Sequence, residues 1–273
     1  MTQTIPYWHV DAFSDAAFGG NQAAVMVLEE WLDDATLQKI GEENNFAETA
    51  FVVRDGTGAS DWELRWFTPT DEVALCGHAT LASGHVILSN PDRFGSADRV
   101  TFRTRKAGVL EVVKADAGYE LGLPVTRVEP KAQPELLAAI GFRGEAFLSY
   151  EGAEQTAIVL MQSETEIRAL EPDTAALRGI DLMAICTAPG DSYDVVSRVF
   201  VPAWGVDEDS VTGSAHAALA PFWAERLGKE AMTAHQASTR GGDLTMRVAQ
   251  GDDGERVWLG GPCVTVVEGS FLL

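Results

Sequence analysis

Residues 61–69 read DWELRWFTP, and the same spacing of Asp, Arg, Phe and Pro returns at residues 194–202 as DVVSRVFVP. Each stretch leads into a second block, which reads DEVALCGHATLA at 71–82 and DEDSVTGSAHAA at 207–218. Nine of the 21 aligned positions are identical, where average composition gives roughly one in fifteen by chance. Two copies spaced at half the chain length predict two similar lobes, with equivalent residues facing each other across a cleft.

The composition of the 273 residues suits two folded domains and narrows the range of partners. Because 41 acidic residues stand against 20 basic ones, the formal net charge is −21, which disfavours nucleic acid and anionic membrane surfaces as partners. No apolar run approaches the roughly 20 residues that span a bilayer. The first six residues lack the pattern of a secretory signal, and three widely spaced cysteines predict free thiols. We therefore expect a cytoplasmic protein.

Hydrophobic spacing predicts short strands in each half of the chain around one apolar helix. The helices are expected at residues 79–88 and 215–227, where apolar residues run without the alternation of a half-buried strand. Strands gathered around one helix in each lobe make an α+β fold.

Prolines mark residues 125–133 as a connector between the two halves. They are Pro124, Pro130 and Pro134. We accordingly predict an N-terminal lobe at 1–124 and a C-terminal lobe at 125–273, whose closing strands are able to cross back to the first lobe.

Both second blocks place a glycine directly before a helix of small residues, at Gly77 and Gly213. Glycine allows a ligand close to the backbone, and the first N–H groups of a helix favour a carboxylate. The pair predicts a grip on a small anionic substrate; the alternative is that both are ordinary helix caps. A metal is not expected at His78 and His85, since seven helical residues separate them by about 10.5 Å. No phosphate-binding loop spacing is present, so no nucleotide cofactor is expected.

Together these motifs resemble the PhzF-like phenazine-biosynthesis isomerases of the diaminopimelate-epimerase-like superfamily. The matching stretches are distributed over almost the whole chain: VDAF at 10–13, FGGN at 18–21, AETAFV at 47–52, LCGHAT at 75–80, EDSVTGSA at 208–215 and GG at 260–261. The resemblance implies two similar lobes, each a curved, mostly antiparallel and barrel-like sheet around a central helix, with the active site between them. It also implies a homodimer and no cofactor. Gln22 and Ser210 stand where many members have proline, so the resemblance does not fix the substrate.

The resemblance also implies roles for individual residues. Glu48 matches the acid/base carboxylate of the family, with His78 and Asp209 as its catalytic partners. The substrate-binding positions are Asn21, Gly77, Gly213 and Ser214. Taken without the resemblance, the sequence favours an ordinary solvent-facing strand residue at Glu48, and His78 and Asp209 read as helix-start and turn residues.

The repeat itself separates two mechanisms, because Cys76 aligns with Thr212. A threonine hydroxyl has no accessible basic form near neutral pH, which disfavours a racemase with two facing thiols. One base then does both jobs, and Glu48 is the candidate for a proton shift on one face of the substrate. Two alternatives remain: an epimerase that uses Glu48 with Cys76, and a non-catalytic small-acid binding protein on the same scaffold.

Overall fold

The computed structural model describes residues 3–149, 155–251 and 254–273. The strands of these residues are β1 (Thr4–Ala12), β2 (Asn21–Leu28), β3 (Glu48–Arg54), β4 (Trp62–Phe67), β5 (Glu72–Val73), β6 (Arg99–Thr104), β7 (Val109–Ala115), β8 (Gly118–Pro124), β9 (Val128–Pro130), β10 (Glu145–Ser149), β11 (Thr156–Leu160), β12 (Met183–Pro189), β13 (Val195–Val201), β14 (Val206–Asp209), β15 (Ala231–Gln236), β16 (Gly242–Gly251), β17 (Gly254–Gly261) and β18 (Cys263–Leu272). The helices are α1 (Asp34–Asn44), α2 (Gly77–Ser89), α3 (Pro91–Phe94), α4 (Pro134–Ile140), α5 (Glu164–Arg168), α6 (Thr174–Leu177) and α7 (Gly213–Leu227).

The chain divides into two compact units, Met1–Leu123 with Gly260–Leu273, and Pro124–Leu259. In the first unit the hydrogen-bonded order is β18, β1, β2, β3, β4, β6, β7, β8, and β5 pairs with the end of β4. The pairs β2/β3 and β4/β6 are parallel, and the rest are antiparallel. The described pairs run from β18 to β8 without joining these two strands, so the barrel-like sheet that the resemblance implies is not closed.

The second unit repeats this order with different strands. Its described sequence is β9, β10, β11, β12, β13, β15, β16, and β14 pairs with the end of β13. The parallel pairs, β11/β12 and β13/β15, occupy the same places as β2/β3 and β4/β6. The expected α+β fold of two similar, mostly antiparallel lobes is therefore confirmed. The predicted connector at residues 125–133 contains the short strand β9.

One apolar helix crosses between parallel strands in each unit, α2 between β4 and β6 and α7 between β13 and β15. Within α2 the residues from Gly77 to Leu88 are buried except His85, and α7 is buried from Gly213 to Trp223 except Ser214. A helix that is apolar on all sides needs such an environment. Both predicted helices are confirmed, although each begins two residues earlier than expected. No helix in the described part of the chain has the length and apolar character needed to cross a membrane.

The identical residues of the repeat make the same ion pair in each unit. Arg65 donates to both carboxylate oxygens of Glu72, each at 2.8 Å. Arg198 does the same to Glu208, at 2.7 and 2.9 Å. Each guanidinium also lies 5.0 Å from the ring of the Phe two residues later. Such bidentate pairs fix geometry as well as charge, so the repeated Arg and Phe hold the end of the strand against the segment before the helix.

The repeated aspartates also have equivalent partners. Asp61 accepts from the backbone N–H and the hydroxyl of Thr101, both at 2.8 Å. Asp194 accepts from the same two groups of Thr233, at 2.9 and 3.3 Å. Each bond ties the start of one strand to its parallel neighbour. The identical Asp, Arg, Phe and Glu residues of the sequence repeat thus make the contacts that hold the strands and the segment before each central helix together.

Candidate active site

Four of the predicted site residues meet in the first unit, where two strand starts lie beside the start of α2. Asn21 begins β2 and Glu48 begins β3, and these strands are parallel neighbours with Ala23 opposite Glu48. Parallel strands begin at the same edge of a sheet, so both side chains reach the same place. Gly77 and His78 are the first two residues of α2. The local fold therefore brings together residues that lie far apart in the sequence.

The imidazole of His78 is the centre of this cluster. Its Nε2 lies 3.0 Å from Oε2 of Glu48, and its Nδ1 lies 3.1 Å from Nδ2 of Asn21 and 3.6 Å from Sγ of Cys76. The His78 side chain is 5% exposed and that of Glu48 is 18% exposed. Oε2 of Glu48 is buried, and its contact among the described residues is the ion pair with the imidazole. The exposed part of the Glu48 side chain therefore lies away from Oε2.

Burial and charge set the protonation of this cluster. Burial, assisted by the negative charge of Glu48, raises the pKa of the Cys76 thiol to about 11. Burial alone would lower the pKa of His78, but negative charge at Cys76 and Glu48 outweighs it, and the pKa of His78 lies well above its usual value. Because the thiol is protonated at neutral pH, the Glu48 carboxylate is the one of these two causes that acts on the ring there. Asn21 presents Nδ2 to Nδ1, which suits an unprotonated Nδ1; a doubly protonated ring would require the amide oxygen in that place, and the two amide positions are interchangeable.

The start of α2 adds backbone donors to the cluster. Cys76 is the N-cap residue with an extended backbone, and its side chain makes no capping hydrogen bond. The first N–H groups of an α-helix lack intrahelical partners and form the positive end of its dipole. A helix start without a capping side chain can receive a carboxylate from a ligand.

The same three side chains are the place where the described residues could hold a metal. Glu48, Cys76 and His78 each offer one ligand-type atom, and these atoms lie within 4.8 Å of one another. His85, the other histidine of α2, is not part of this set, and its ring bonds Tyr119 at 3.1 Å and Thr265 at 2.9 Å. Thiolate coordination would require Cys76 to lose its proton against the burial and the charge of Glu48. The set is equally suited to proton transfer between a carboxylate and an imidazolium.

The other three predicted residues meet at the start of α7 in the second unit. Asp209 ends β14, and its Oδ2 accepts from the Thr212 hydroxyl at 2.5 Å while its Oδ1 accepts from the backbone N–H of Ser210 at 2.9 Å. Gly213 and Ser214 are the first two residues of α7, and the N-cap Thr212 makes no capping bond with its side chain. The structure thus gathers each unit's predicted residues at an equivalent helix start.

One polar residue beside this second helix start was missed by the sequence reasoning. Gln236 is fully buried, and its side chain contacts both Asp209 and Thr212. A signal was present, because β15 alternates between outward and buried positions and Gln236 occupies a buried one with Met232 and Ala234. A polar side chain on the inward face of a strand requires partners.

A family model described as phenazine biosynthesis-like protein matches residues 10–269. An uncharacterized isomerase of Pseudomonas aeruginosa is 45% identical over 275 residues, which cover 98% of this chain and 99% of that protein. The chain therefore belongs to the phenazine biosynthesis-like (PhzF) family, and it is an isomerase by class.

Solved structures agree with this assignment. A PhzF family protein of Enterococcus faecalis is 41% identical and superimposes with a TM-score of 0.87, covering 99% of this chain and 100% of that one. A hydroxyproline epimerase of Agrobacterium vitis is 13% identical, with a TM-score of 0.62 and coverage of 99% and 93%. This second likeness shows the fold alone.

Proposed function

We propose that the protein is a cofactor-independent isomerase that moves a proton within a small carboxylate substrate, with Glu48 as the only proton carrier. The observation that carries this proposal is the Glu48 carboxylate, whose side chain is 18% exposed and whose Oε2 lies 3.0 Å from the His78 imidazole. A general base needs access to the substrate and a neighbour that stabilises its charge, and this carboxylate is suited to both.

The proposed reaction runs in three steps. The substrate carboxylate binds the N–H groups at the start of α2, beside Gly77 and with Asn21 supporting the His78 ring. Glu48 removes a proton from one carbon, and the His78 imidazolium stabilises the negative charge that develops on the substrate. The proton on Glu48 exchanges with solvent, and Glu48 then delivers a proton to a second carbon on the same face, so a double bond moves and no electrons are gained or lost.

The proposal extends to the second unit through the resemblance. Asp209 acts as an acid or polarising group toward the substrate, and Gly213 and Ser214 bind it. The absence of a capping bond from Thr212 supports this role, since the start of α7 resembles that of α2. Replacing Asp209 by Asn tests it: we expect at least a tenfold loss of turnover, and unchanged turnover removes Asp209 from the mechanism.

Deuterium wash-in tests the role of Glu48 directly. In heavy water, an enzyme that removes and returns a proton introduces deuterium into its substrate. Glu48→Gln keeps the size of the side chain but removes the base, so we expect wash-in to fall at least a thousandfold. Glu43→Gln, at an exposed position of α1, is the matched control. Deuterium wash-in by Glu48→Gln at the rate of the unsubstituted enzyme would contradict the proposal.

An epimerase that uses Cys76 as the second base is the other candidate. The observation in its favour is the position of Cys76, whose Sγ lies 3.6 Å from the His78 ring within the same cluster. The raised pKa of the thiol opposes it, because a protonated buried thiol is a poor base. Cys76→Ala separates the two: the proton shift predicts a modest loss of turnover, and the epimerase predicts complete loss together with loss of stereochemical inversion.

The substrate is proposed only as a class, a small carboxylate. Phenazine chemistry would require a dihydro-hydroxyanthranilate, so that compound belongs in a screen with other cyclic and amino-acid carboxylates. Wash-in of deuterium read by mass spectrometry identifies any compound that is turned over. The homodimer implied by the resemblance is part of the proposal and is tested by light scattering on the eluting protein. Location in the cytoplasm stays a prediction.

A further inference from the structure

Gln236 holds the segment that leads from Asp209 into α7. Its Nε2 donates to the backbone carbonyl of Asp209 at 2.7 Å and lies 3.2 Å from Oγ1 of Thr212. Its Oε1 accepts from the backbone N–H of Thr212 at 2.9 Å. One amide thus bonds both ends of the 209–212 segment. The side chain is fully buried, and three of its four hydrogen-bonding positions are used here.

The direction of these bonds leads to the Asp209 carboxylate. Oγ1 of Thr212 donates its only proton to Oδ2 of Asp209. The same oxygen therefore accepts from Gln236 Nε2, and this contact fixes the rotation of the hydroxyl. The order is Gln236 N–H to Thr212 oxygen, then Thr212 O–H to the Asp209 carboxylate. The orientation of a proposed catalytic carboxylate thus depends on an amide that lies two bonds away.

A second contact fixes Thr212 from the other side. His216, one turn along α7, has its Nδ1 2.7 Å from the Thr212 carbonyl, and because a carbonyl can only accept, Nδ1 carries the proton. Thr212 is then held through its N–H, its hydroxyl and its carbonyl. Gln236 also bonds the Asp209 carbonyl, whereas the contact from His216 ends at Thr212.

We propose that Gln236 is a positioning residue for the isomerase reaction, which orients Asp209 through the Thr212 hydroxyl. The inference rests on the proposed role of Asp209. A purely structural role for Gln236 makes a different prediction, since it would lower stability without changing turnover in the folded enzyme. Misplacement of a catalytic group by about 1 Å costs up to a hundredfold in rate. We expect Gln236→Leu to lower kcat at least tenfold and to change KM less than threefold.

Hydrogen exchange tests the contact without a substrate. In Gln236→Leu the amide of Thr212 loses its acceptor, and we expect its exchange with heavy water to accelerate at least tenfold while amides of β11 and β12 keep their rates. Trp223→Phe is the control, because it removes a different buried bond of this unit, from Trp223 Nε1 to Thr187 at 3.0 Å. Unchanged exchange at residues 209–212 in Gln236→Leu would overturn the inference.

A double-mutant cycle tests the functional link, with a dihydro-hydroxyanthranilate as the probe for deuterium wash-in. Gln236→Leu, Asp209→Asn and the double variant are compared at a temperature where each is folded. If Gln236 acts through Asp209, the double variant is no slower than Asp209→Asn alone. Fully multiplicative losses would show an independent role and refute the inference.

The Thr212 hydroxyl offers a conservative rescue. Thr212→Ser keeps the hydroxyl and should retain most of the turnover, while Thr212→Val removes it and should behave as Gln236→Leu does. Equal rates in the Ser and Val variants would contradict the proposed relay. Failure of the proposed function appears separately, as wash-in by Asp209→Asn or Glu48→Gln at the unsubstituted rate, whatever Gln236 does.

Discussion

His216 makes the second unit sensitive to acid, and the size of the effect follows from its environment. Burial lowers the pKa of His216 to about 4, and the Thr212 carbonyl offsets this only in part. In the unfolded chain a histidine titrates near 6.5. Below that pH the unfolded chain binds a proton that the folded chain does not, so stability is present above pH 6.5 and is lost as pH falls toward 4. Between pH 7 and pH 5 the loss is about 2 kcal/mol.

His216→Asn removes the titration and keeps a donor near the place of Nδ1. We expect the variant to be less stable at pH 7, because it loses packing volume, but to lose about 2 kcal/mol less than the unsubstituted protein between pH 7 and pH 5. Urea unfolding at several pH values, followed by far-UV circular dichroism, measures this. The carboxylate pKa values that are shifted in this protein are lowered, so those groups titrate below this window.

His85 supplies an internal comparison, because partial burial also lowers its pKa to about 4. It lies in the first unit, so His85→Asn should flatten the same pH dependence without affecting α7. Parallel pH curves for the unsubstituted protein and His216→Asn would refute the reasoning, since they would mean that the imidazole titrates alike in the folded and unfolded chains.

Two further substitutions test the packing around the repeat. Arg198→Met should lower the free energy of unfolding by about 3 kcal/mol, because it leaves Glu208 without its partner in a largely buried place. Arg178→Met removes an exposed ion pair and should lower the free energy of unfolding by less than about 1 kcal/mol. Equal losses for the two variants in urea unfolding would contradict this prediction. Gly84→Ala should destabilise by about 1–3 kcal/mol despite the better helix propensity of alanine, because the new Cβ would lie 2.4 Å from Cγ1 of Val112. Adding Val112→Ala to Gly84→Ala should restore most of the lost stability. If Gly84→Ala alone were more stable than the unsubstituted protein, strand β7 would have moved to make room for the new Cβ.

The duplicated fold was predictable because its signal lies in residues that keep the same spacing twice. Helices α2 and α7 were predicted correctly because both are long apolar runs, and Glu48 and His78 were named as candidates through short motifs. Strand β12 was not predicted. It is buried along most of its length between β11 and β13, so its sequence, MAICTAP, lacks the alternation that marks a half-buried strand.

The contacts within the site were less accessible from sequence than the residues themselves. Cys76 was weighed as a base, but its distance to the His78 ring depends on the turn before α2. Gln236 lies 24 residues beyond Thr212, and only the parallel pairing of β13 with β15 brings its strand beside this segment. Long-range pairing of this kind leaves no local pattern in a single sequence.

The repeated Arg–Glu and Asp–Thr bonds have a consequence for how such a protein can change. They keep the backbone of each helix start in place and involve none of the proposed catalytic side chains. The residues just beyond them, Cys76 and His78 in one unit and Thr212 and Ser214 in the other, differ between the copies. Two substitutions at either helix start can therefore change its chemistry, while the Arg–Glu and Asp–Thr bonds that hold the backbone remain unchanged.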